Sequence, residues 1–450
     1  MRNLKPGTCP FSRIIRESVL KIVLFPSKSI YQTSRITASK TVQSGADYLS
    51  GLVQTTSQAV QVSNANELQS FLTGCRDRGQ PVVTVDSHLL RTSNWMSVGS
   101  ALQLDVSRMN WVRVEPARKL ALVGPGARFS ALVSAARAQG LVVDLEPLAG
   151  IDFTFGDWAH ESLRMLSTTN SGLEGVLRNV KVVAPDASYQ TGYDDFPANG
   201  GGYDLTKMFM TSFLMLGVPY EFAIPLRPGS DVVLVKTYSF SKPEEAIRAG
   251  IAMHRSGFAS ALQASSGDTG SILTSGSIEK SEGLRLTVRF EGTPAITEAA
   301  EKTFDEIAKS KGGNETWKSV EPQWPLDPSS ISPAAWLLGV CPCDTLSLPS
   351  VMKDISNMAS EAGRAVQFHI SDMDPNVSVL VPIFQGPPTP GILRSIGSYL
   401  VNRRMTLRGN IAWNSLLGDS RSRPRLELVR RIKSHVDSRM ILNTHMMGAI

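Results

Sequence analysis

The sequence predicts an α+β protein of two domains, and three observations carry that expectation. A chain of 450 residues is longer than one ordinary core accommodates. From Val60 to Gly140 short β-branched runs alternate with two segments of helical period. Between about 230 and 422 strand-period and helix-period segments alternate again, in the β-α-β-α order of a ferredoxin-like unit. The divisions that follow are a basic segment 1–45, a first domain 58–228, a second domain 229–422 and a C-terminal tail 423–450.

Composition bounds the class. With 42% hydrophobic and 19% charged residues the chain has the makeup of a globular protein. The net charge of +6 comes largely from the two ends, and no basic, aromatic-interleaved stretch lies between them, so nucleic acid is not an expected partner. Cys9, Cys75, Cys341 and Cys343 are too few and too irregular for a disulfide framework, which fits a reducing compartment. Cys341-Pro342-Cys343 reads as a turn with two small apolar side chains, or as half of a metal or redox site that lacks a second Cys/His pair at ligand spacing.

Residues 1–45 carry Arg2, Lys5, Arg13, Arg16, Lys21, Lys28, Arg35 and Lys40 against the single acid Glu17. That acid-poor, Ser-rich stretch reads as an organelle transit segment, mitochondrial by preference, or as a basic N-terminus without an address. The apolar run Val19–Phe25 is broken by Lys21 and is far short of the ~20 residues a membrane span needs. Any membrane contact is expected to be peripheral or through a partner.

The first domain is then justified in order. Asn64 and Asn66 are candidate caps for a helix whose apolar positions Leu68, Phe71 and Leu72 repeat at 3.6, and Gly79 stops it. Pro81–Val85 is a short strand. Leu102–Val106 and Trp111–Val114 form an alternating pair separated by a turn, and Leu120–Val123 is another strand. After Gly124-Pro125-Gly126, Phe129–Gln139 reads as a helix closed by Gly140. The stretch 198–228, ANGGGYDLTKMFMTSFLMLGVPYEFAIPLRP, reads as loop, short helix, tight turn and strand. Gly200–Gly202 and Gly217 allow positive φ or close backbone approach.

These stretches resemble the FAD-linked oxidases, the flavoproteins sharing the vanillyl-alcohol-oxidase or PCMH type of FAD domain. The branch most similar is that of the glycolate oxidase FAD-domain subunit and D-lactate dehydrogenase. The likeness in the central block rests on Gly202–Leu205, Phe209, Ser212 and Leu216–Val218, with departures at Thr211, Leu214 and Tyr220. A longer run, LQLDVSRMNWVRVEPARKLALVGPGARFSALVSAARAQGL, is similar to the family over the part of the FAD domain that precedes its second flavin loop. The resemblance implies a two-subdomain PCMH-type FAD-binding domain, a ferredoxin-like cap, and a tail that returns to the FAD domain.

It also implies where the cofactor is held. The family's first loop is Gly-rich and offers backbone N–H groups to the pyrophosphate. Here it reads Asp86 to Trp95 without glycine, and Arg91, Thr92, Ser93 and Asn94 are the replacement donors, or simply a polar surface loop. Asp86 there brings a negative charge near the phosphates. The second loop keeps Pro147, Gly150, Thr154 and Gly156, with Gly172 later, while Asp157 replaces a glycine and brings a β-carbon that narrows the backbone approach to the flavin. Val176–Val183 resembles the strand beneath the flavin ring, followed by the turn Ala184-Pro185-Asp186. Gly217 and Val218 are implied flavin neighbours, and the tail motif stands in register as Lys433, Asp437, Ile441, Leu442 and Asn443.

In the second domain Val232–Val235 is a strand, Ala246–Ala252 a helix face ending near Gly257, Leu284–Phe290 a strand and Ile296–Ala308 a helix. Ser265–Ser281 reads as a polar loop and Pro322–Ser332 as a linker or arm. Phe368-His369-Ile370-Ser371-Asp372 with Asn376 resembles a dehydrogenase motif whose two histidines hold a metal; His369 matches the first and Asn376 stands at the second. No metal site is therefore expected. His369 with Asp372 is the candidate base toward a hydroxyl proton, or else a partly buried strand histidine. The other histidines stand alone.

The resemblance implies FAD-linked oxidation of a small 2-hydroxy acid, glycolate-like or D-lactate-like, with electrons leaving to an iron–sulfur or quinone acceptor. The alternative is a chain that keeps the fold as a non-catalytic, structural subunit of a larger, mitochondrial assembly.

Overall fold

The computed structural model describes residues 59–85, 101–143, 145, 152–161, 177–191, 205–210, 214–275, 283–320, 332, 335–337, 341–371, 373–386, 388–403, 405 and 423–443. The basic segment 1–45, the glycines 200–202 and the arm 322–331 lie outside them.

The first domain holds two sheets. Strand β1 (Val60–Gln61) leads into helix α1 (Ala65–Arg78), then β2 (Val82–Val85) and β3 (Leu102–Asp105). Of the two candidate caps Asn64 does the work: it accepts the Glu67 N–H at 2.9 Å, while the Glu67 carboxylate accepts the Ser63 N–H at 2.8 Å. Asn66 instead accepts the Tyr189 hydroxyl at 2.8 Å. The three strands are parallel in the order β1-β3-β2. Helix α1 covers them through Leu68, Leu72 and Cys75.

The second sheet is antiparallel. Its elements are β4 (Val112–Glu115), β5 (Leu120–Val123), α2 (Phe129–Arg137), β6 (Leu141–Val143), α3 (Phe155–Glu161), β7 (Asn179–Val183), β8 (Tyr189–Thr191), α4 (Thr206–Met210) and β9 (Val218–Pro228). The order is β4-β5-β9-β7-β8, with β6 also on β9. The alternating pair 102–106 and 111–114 is thus not a hairpin: β3 joins the parallel sheet and β4 pairs with β5. Long strand β9 is the spine, and Phe155, Trp158 and Phe222 pack on it with ring centroids 5.7 to 5.9 Å apart. The joint between the sheets is tight: a β-carbon on Gly126 would lie 2.1 Å from the Ser107 carbonyl oxygen, so only glycine fits.

The second domain is one eight-stranded sheet. Strands β10 (Val232–Phe240), β11 (Ala259–Ser265), β12 (Leu284–Gly292) and β13 (Asn314–Ser319), with helices α5 (Pro243–Arg255) and α7 (Pro294–Ser310), give the order β13-β10-β12-β11. That is the 4-1-3-2 order of a ferredoxin-like βαββαβ unit. Helix α6 (Thr269–Ser275) lies between β11 and β12, so the stretch 265–281 is not wholly loop; its Ile272 and Leu273 are buried, which Ser/Gly/Thr-rich composition conceals.

A second unit continues through β14 (Ala335–Leu337), β15 (Cys341–Asp344), α8 (Leu348–Glu361), β16 (Val366–Ser371), β17 (Val377–Gln385) and α9 (Pro390–Asn402). Strand β16 pairs with β11, joining the two units edge to edge. Cys341 and Cys343 lie on strand β15 rather than in a turn, and burial pushes both thiols up to about 12, so they behave as small apolar groups.

Helices α5, α7, α8 and α9 cover one face of this sheet with an apolar core including Leu286, Phe290, Phe304, Ile355, Phe368, Ile370, Leu380 and Ile396. On that side Lys236, 1% exposed, reaches Glu301 at 3.1 Å, Asp305 at 2.7 Å and Glu315 at 2.6 Å. Burial alone lowers its pKa, but the hydrogen bonds to Asp305, Glu315 and Glu301 outweigh it and raise the ammonium's pKa.

The chain ends with α10 (Arg423–Val436), which packs Ile432 and Val436 into the second-sheet core of the first domain. Among the described residues no helix is long and apolar enough to cross a membrane.

Candidate functional site

At the end of β2, whose Val85 is followed by the segment 86–100, the C-terminal tail joins β2 to the turn 214–217 before β9. The stem of the loop before α3 is held separately, against the start of α2. Leu442 forms a parallel bridge with Val82, on the side of β2 away from β3. The Val82 N–H donates to Ile441 O at 2.7 Å, and the Asn443 N–H to Val82 O at 2.8 Å.

The Thr84 N–H then donates to Asn443 Oδ1 at 3.0 Å, while Asn443 Nδ2 donates to Thr84 Oγ1 at 3.0 Å and to Leu214 O at 3.3 Å. Asn443 sits at φ 47°, a left-handed conformation that asparagine tolerates. Its side-chain oxygen and nitrogen are both engaged by the protein, so it acts as a fastener between β2 and the turn. Ile441 and Leu442, 1% and 0% exposed, lie in the core of the parallel sheet.

Gly217 closes the turn and Val218 begins β9. A β-carbon on Gly217 would lie 2.8 Å from Val182 Cγ2, so the glycine is required by the packing of turn against β7. Val218 is buried beside Val183 and Leu442.

The second loop stem is pinned at both ends of its description. Asp152 accepts the Ser130 N–H at 2.9 Å and the Ser130 hydroxyl at 2.7 Å, closing the open start of α2. Thr154 and Asp157 form a reciprocal cap on α3: the Thr154 N–H donates to Asp157 Oδ2 at 3.0 Å, and the Asp157 N–H to Thr154 Oγ1 at 3.1 Å. The Asp157 carboxylate is buried and turned back on its own helix start. Replacing it by alanine is expected to cost about 1 kcal/mol in thermal or denaturant unfolding, the usual worth of a cap, where the loop reading expects no loss. Gly156 donates its N–H to Pro125 O at 2.6 Å, and a β-carbon there would lie 3.1 Å from that same oxygen.

Thr154 and Gly156 thus shape the start of α3, and Gly217, Val218 and Asn443 the turn before β9. Arg91, Thr92, Ser93, Asn94, Asp86, Pro147, Gly150, Gly172 and Asp372 lie outside the described residues.

A separate candidate is the other face of the eight-stranded sheet. Residues directly opposite across antiparallel strands share a face. His369 pairs with Val381 on β17 and with Ser265 on β11, and Ser265 with Arg285 on β12. Strand β16 reads Val-Gln-Phe-His-Ile-Ser, so Phe368 and Ile370 enter the helix-covered core while Gln367, His369 and Ser371 point the other way. This face is buried too: His369 is 4% exposed, Ser371 0%, and Val379, Val381 and Ile383 1% or less.

Neither ring nitrogen of His369, nor Ser371 Oγ, has a hydrogen-bond partner among the described residues. Buried polar groups left so are costly and point to a ligand or an ordered molecule that completes them. Burial lowers the His369 pKa to about 4, keeping the imidazole neutral at pH 7 and able both to accept and to donate. Ser371 and Gln367 escaped the sequence reading; the strand's polar alternation is the signal that marks them. Among the described residues no group of His, Cys, Asp and Glu is placed to hold a metal ion.

Comparison with known proteins defines the class. Residues 56–192 match the family described as FAD binding domain, a match that supports FAD as the cofactor. The fold is shared with solved structures. Alkyldihydroxyacetonephosphate synthase is 14% identical with a TM-score of 0.65, over 85% of this chain and 75% of that one. The 4-ethylphenol oxidase from Gulosibacter chungangensis, as an isoeugenol complex, is 12% identical with a TM-score of 0.68, over 86% and 88%. Substrate-bound p-cresol methylhydroxylase is 14% identical with a TM-score of 0.67, over 87% and 88%. Among curated proteins no sequence matches the chain. The fold is thus the PCMH-type FAD-binding domain with an α+β cap.

Proposed function

We propose that the protein is an FAD-dependent oxidoreductase that oxidises a small 2-hydroxy acid, glycolate-like or D-lactate-like, and passes the electrons to an iron–sulfur or quinone acceptor. The observation that carries the reading is a cap sheet whose buried face holds a neutral His369 and a Ser371 without hydrogen-bond partners among the described residues, in a chain that also matches an FAD binding domain.

The residues present fit the cofactor. The stems that frame its loops are held by Asn443, Asp152 and the Thr154–Asp157 cap. Arg91, Thr92 and Ser93 would meet the pyrophosphate, supplying charge and donors in place of glycine N–H groups. Pro147, Gly150 and Gly172 would line the second loop. Bound FAD supplies a two-electron acceptor for the hydride leaving the substrate's C2. His369 takes the hydroxyl proton, so a 2-hydroxy acid leaves as a 2-oxo acid. Ser371, two residues along on the same face, orients the polar end of the substrate.

The test is an absorption spectrum of the purified protein, followed by anaerobic addition of D-lactate or glycolate. Flavin bands near stoichiometry that bleach with substrate support the reading. One observation favours a second reading: the segment Asp86–Trp95 contains no glycine. If equilibrium dialysis shows no saturable FAD binding, the chain is a non-catalytic subunit keeping the fold within a larger assembly.

A mitochondrial location is proposed for either reading, on the acid-poor basic stretch 1–45. Deleting it is expected to leave the melting midpoint unchanged and to move the protein within the cell. A lowered midpoint would show that the segment is docked, and would end that proposal.

A further inference from the structure

We propose that one row of residues on the cap sheet selects the substrate: Arg285 binds the carboxylate of the 2-hydroxy acid, and Val381, on the far side of His369, meets the substituent on its C2. Acids with an aliphatic substituent are then preferred, and glycolate, which has none, is a poor substrate. The proposal rests on the 2-hydroxy-acid reading and deepens it, by naming what holds each end of the molecule.

Strand register places five residues side by side on the face away from the helices. Ser239 on β10 pairs with Arg285 on β12, Arg285 with Ser265 on β11, Ser265 with His369 on β16, and His369 with Val381 on β17. The alternate residues of β12, Leu284, Leu286, Val288 and Phe290, enter the helix-covered core, so Arg285 stands on the same side as His369. Their Cα atoms are two interstrand spacings apart, about 10 Å. Between them Ser265 is small, and its hydroxyl is turned to Gly267 O at 2.7 Å. Nothing bulky in the row therefore separates the long arginine side chain from the imidazole.

The row changes character at β16. Burial keeps the His369 imidazole neutral at pH 7, so an anion bound there takes its counter-charge from another group. Arg289, further along β12, lies 3.8 Å from Glu291, which also meets Arg227 at the end of β9. Arg285 instead has the uncharged Ser239 and Ser265 directly across its two neighbouring strands, and a guanidinium matches both oxygens of a carboxylate. Toward β17 the face is apolar: Val381 stands opposite His369, Val379 opposite Ser371 and Ile383 opposite Gln367, all three 1% exposed or less. Directly opposed side chains have β-carbons about 5 Å apart, so a group held at His369 meets the Val381 methyls on that side. A charge or hydroxyl placed there would leave water without gaining a partner. The carboxylate is drawn one way along the row and the hydrocarbon the other.

The experiment measures binding of the 2-oxo acid products to the full-length protein as purified, by isothermal titration calorimetry. The probes are glyoxylate, pyruvate and 2-oxobutanoate, with neutral 2-oxobutanamide as the control. In wild type each added carbon is expected to tighten Kd about four-fold, the worth of one buried methylene, and 2-oxobutanoate to bind about ten-fold tighter than its amide. Arg285→Gln should erase the preference for acid over amide and leave the amide's Kd unchanged. Val381→Thr, of nearly the same shape, should weaken 2-oxobutanoate about four-fold and spare glyoxylate. Equal Kd across the three acids, or an Arg285→Gln loss that falls alike on acid and amide, overturns the assignment. Where a variant does not fold, the wild-type series decides its half. Flavin bleaching by D-lactate without this binding pattern overturns the assignment and leaves the oxidase reading in place. The pattern without bleaching supports the row as a carboxylate site and ends the oxidase reading.

Discussion

Truncation after Arg431 is expected to abolish the folded first domain. The cut removes Ile432 and Val436 from the core of the antiparallel sheet and Ile441 and Leu442 from that of the parallel sheet, all 8% exposed or less. Losing large buried side chains costs ~2 to 5 kcal/mol each. Four at the lower bound reach ~8 kcal/mol, against the ~5 to 15 kcal/mol that holds a typical domain together. The cut also exposes the edge of β2, where Val82 now gives its N–H to Ile441 and receives that of Asn443. Thermal unfolding followed by circular dichroism should show the first-domain transition gone while the eight-stranded sheet, whose core lies elsewhere, retains one. A truncated chain that melts like the full one would mean the tail adds no stability and would refute the account of β2.

The tail's partners were legible only in part. Lys433, Asp437 and Asn443 stood out by resemblance, but helix α10 reads Arg-Pro-Arg-Leu-Glu-Leu-Val-Arg-Arg-Ile-Lys-Ser-His-Val, and so basic a helix looks solvated. That one lysine of it is wholly buried follows from contacts 9 and 218 residues away in sequence, which no local pattern encodes. By contrast α1 was legible end to end, because Asn64, Glu67 and Gly79 act within their own turns. The separation of β3 from β4 was hidden, since two strands of period two look alike whichever sheet they join. Strand β15 was hidden by Pro342, which an edge position tolerates because β15 needs N–H donors toward β17 alone. The Thr154–Asp157 cap is written in the sequence as Thr-x-x-Asp, at a position where the resemblance expects a glycine. The cap sheet's polar face was written in the alternation of 366–371, whereas its burial depends on what the rest of the chain lays over it.

His369→Gln should separate the catalytic role of that face from a structural one. Glutamine keeps a hydrogen-bonding side chain in β16 but has no basic nitrogen to take a hydroxyl proton. With a positioned general base worth ~100- to 10,000-fold, kcat for the 2-hydroxy acid should fall by roughly that factor, with KM changed much less. A second measurement needs no substrate. The folded pKa of His369 is about 4, below the ordinary 6.5, because burial disfavours the imidazolium. Between those values the unfolded chain binds a proton that the folded one refuses, so unfolding free energy rises with pH. The contribution is complete above pH 6.5 and is lost as pH falls through about 4. At 1.36 kcal/mol per unit the span corresponds to about 3 kcal/mol. Denaturant unfolding of the wild type between pH 4 and 6.5 should show that slope, and His369→Gln should flatten it. A variant that loses the slope yet turns over 2-hydroxy acid at the wild-type rate would leave His369 a buried structural imidazole and move the base elsewhere on the face.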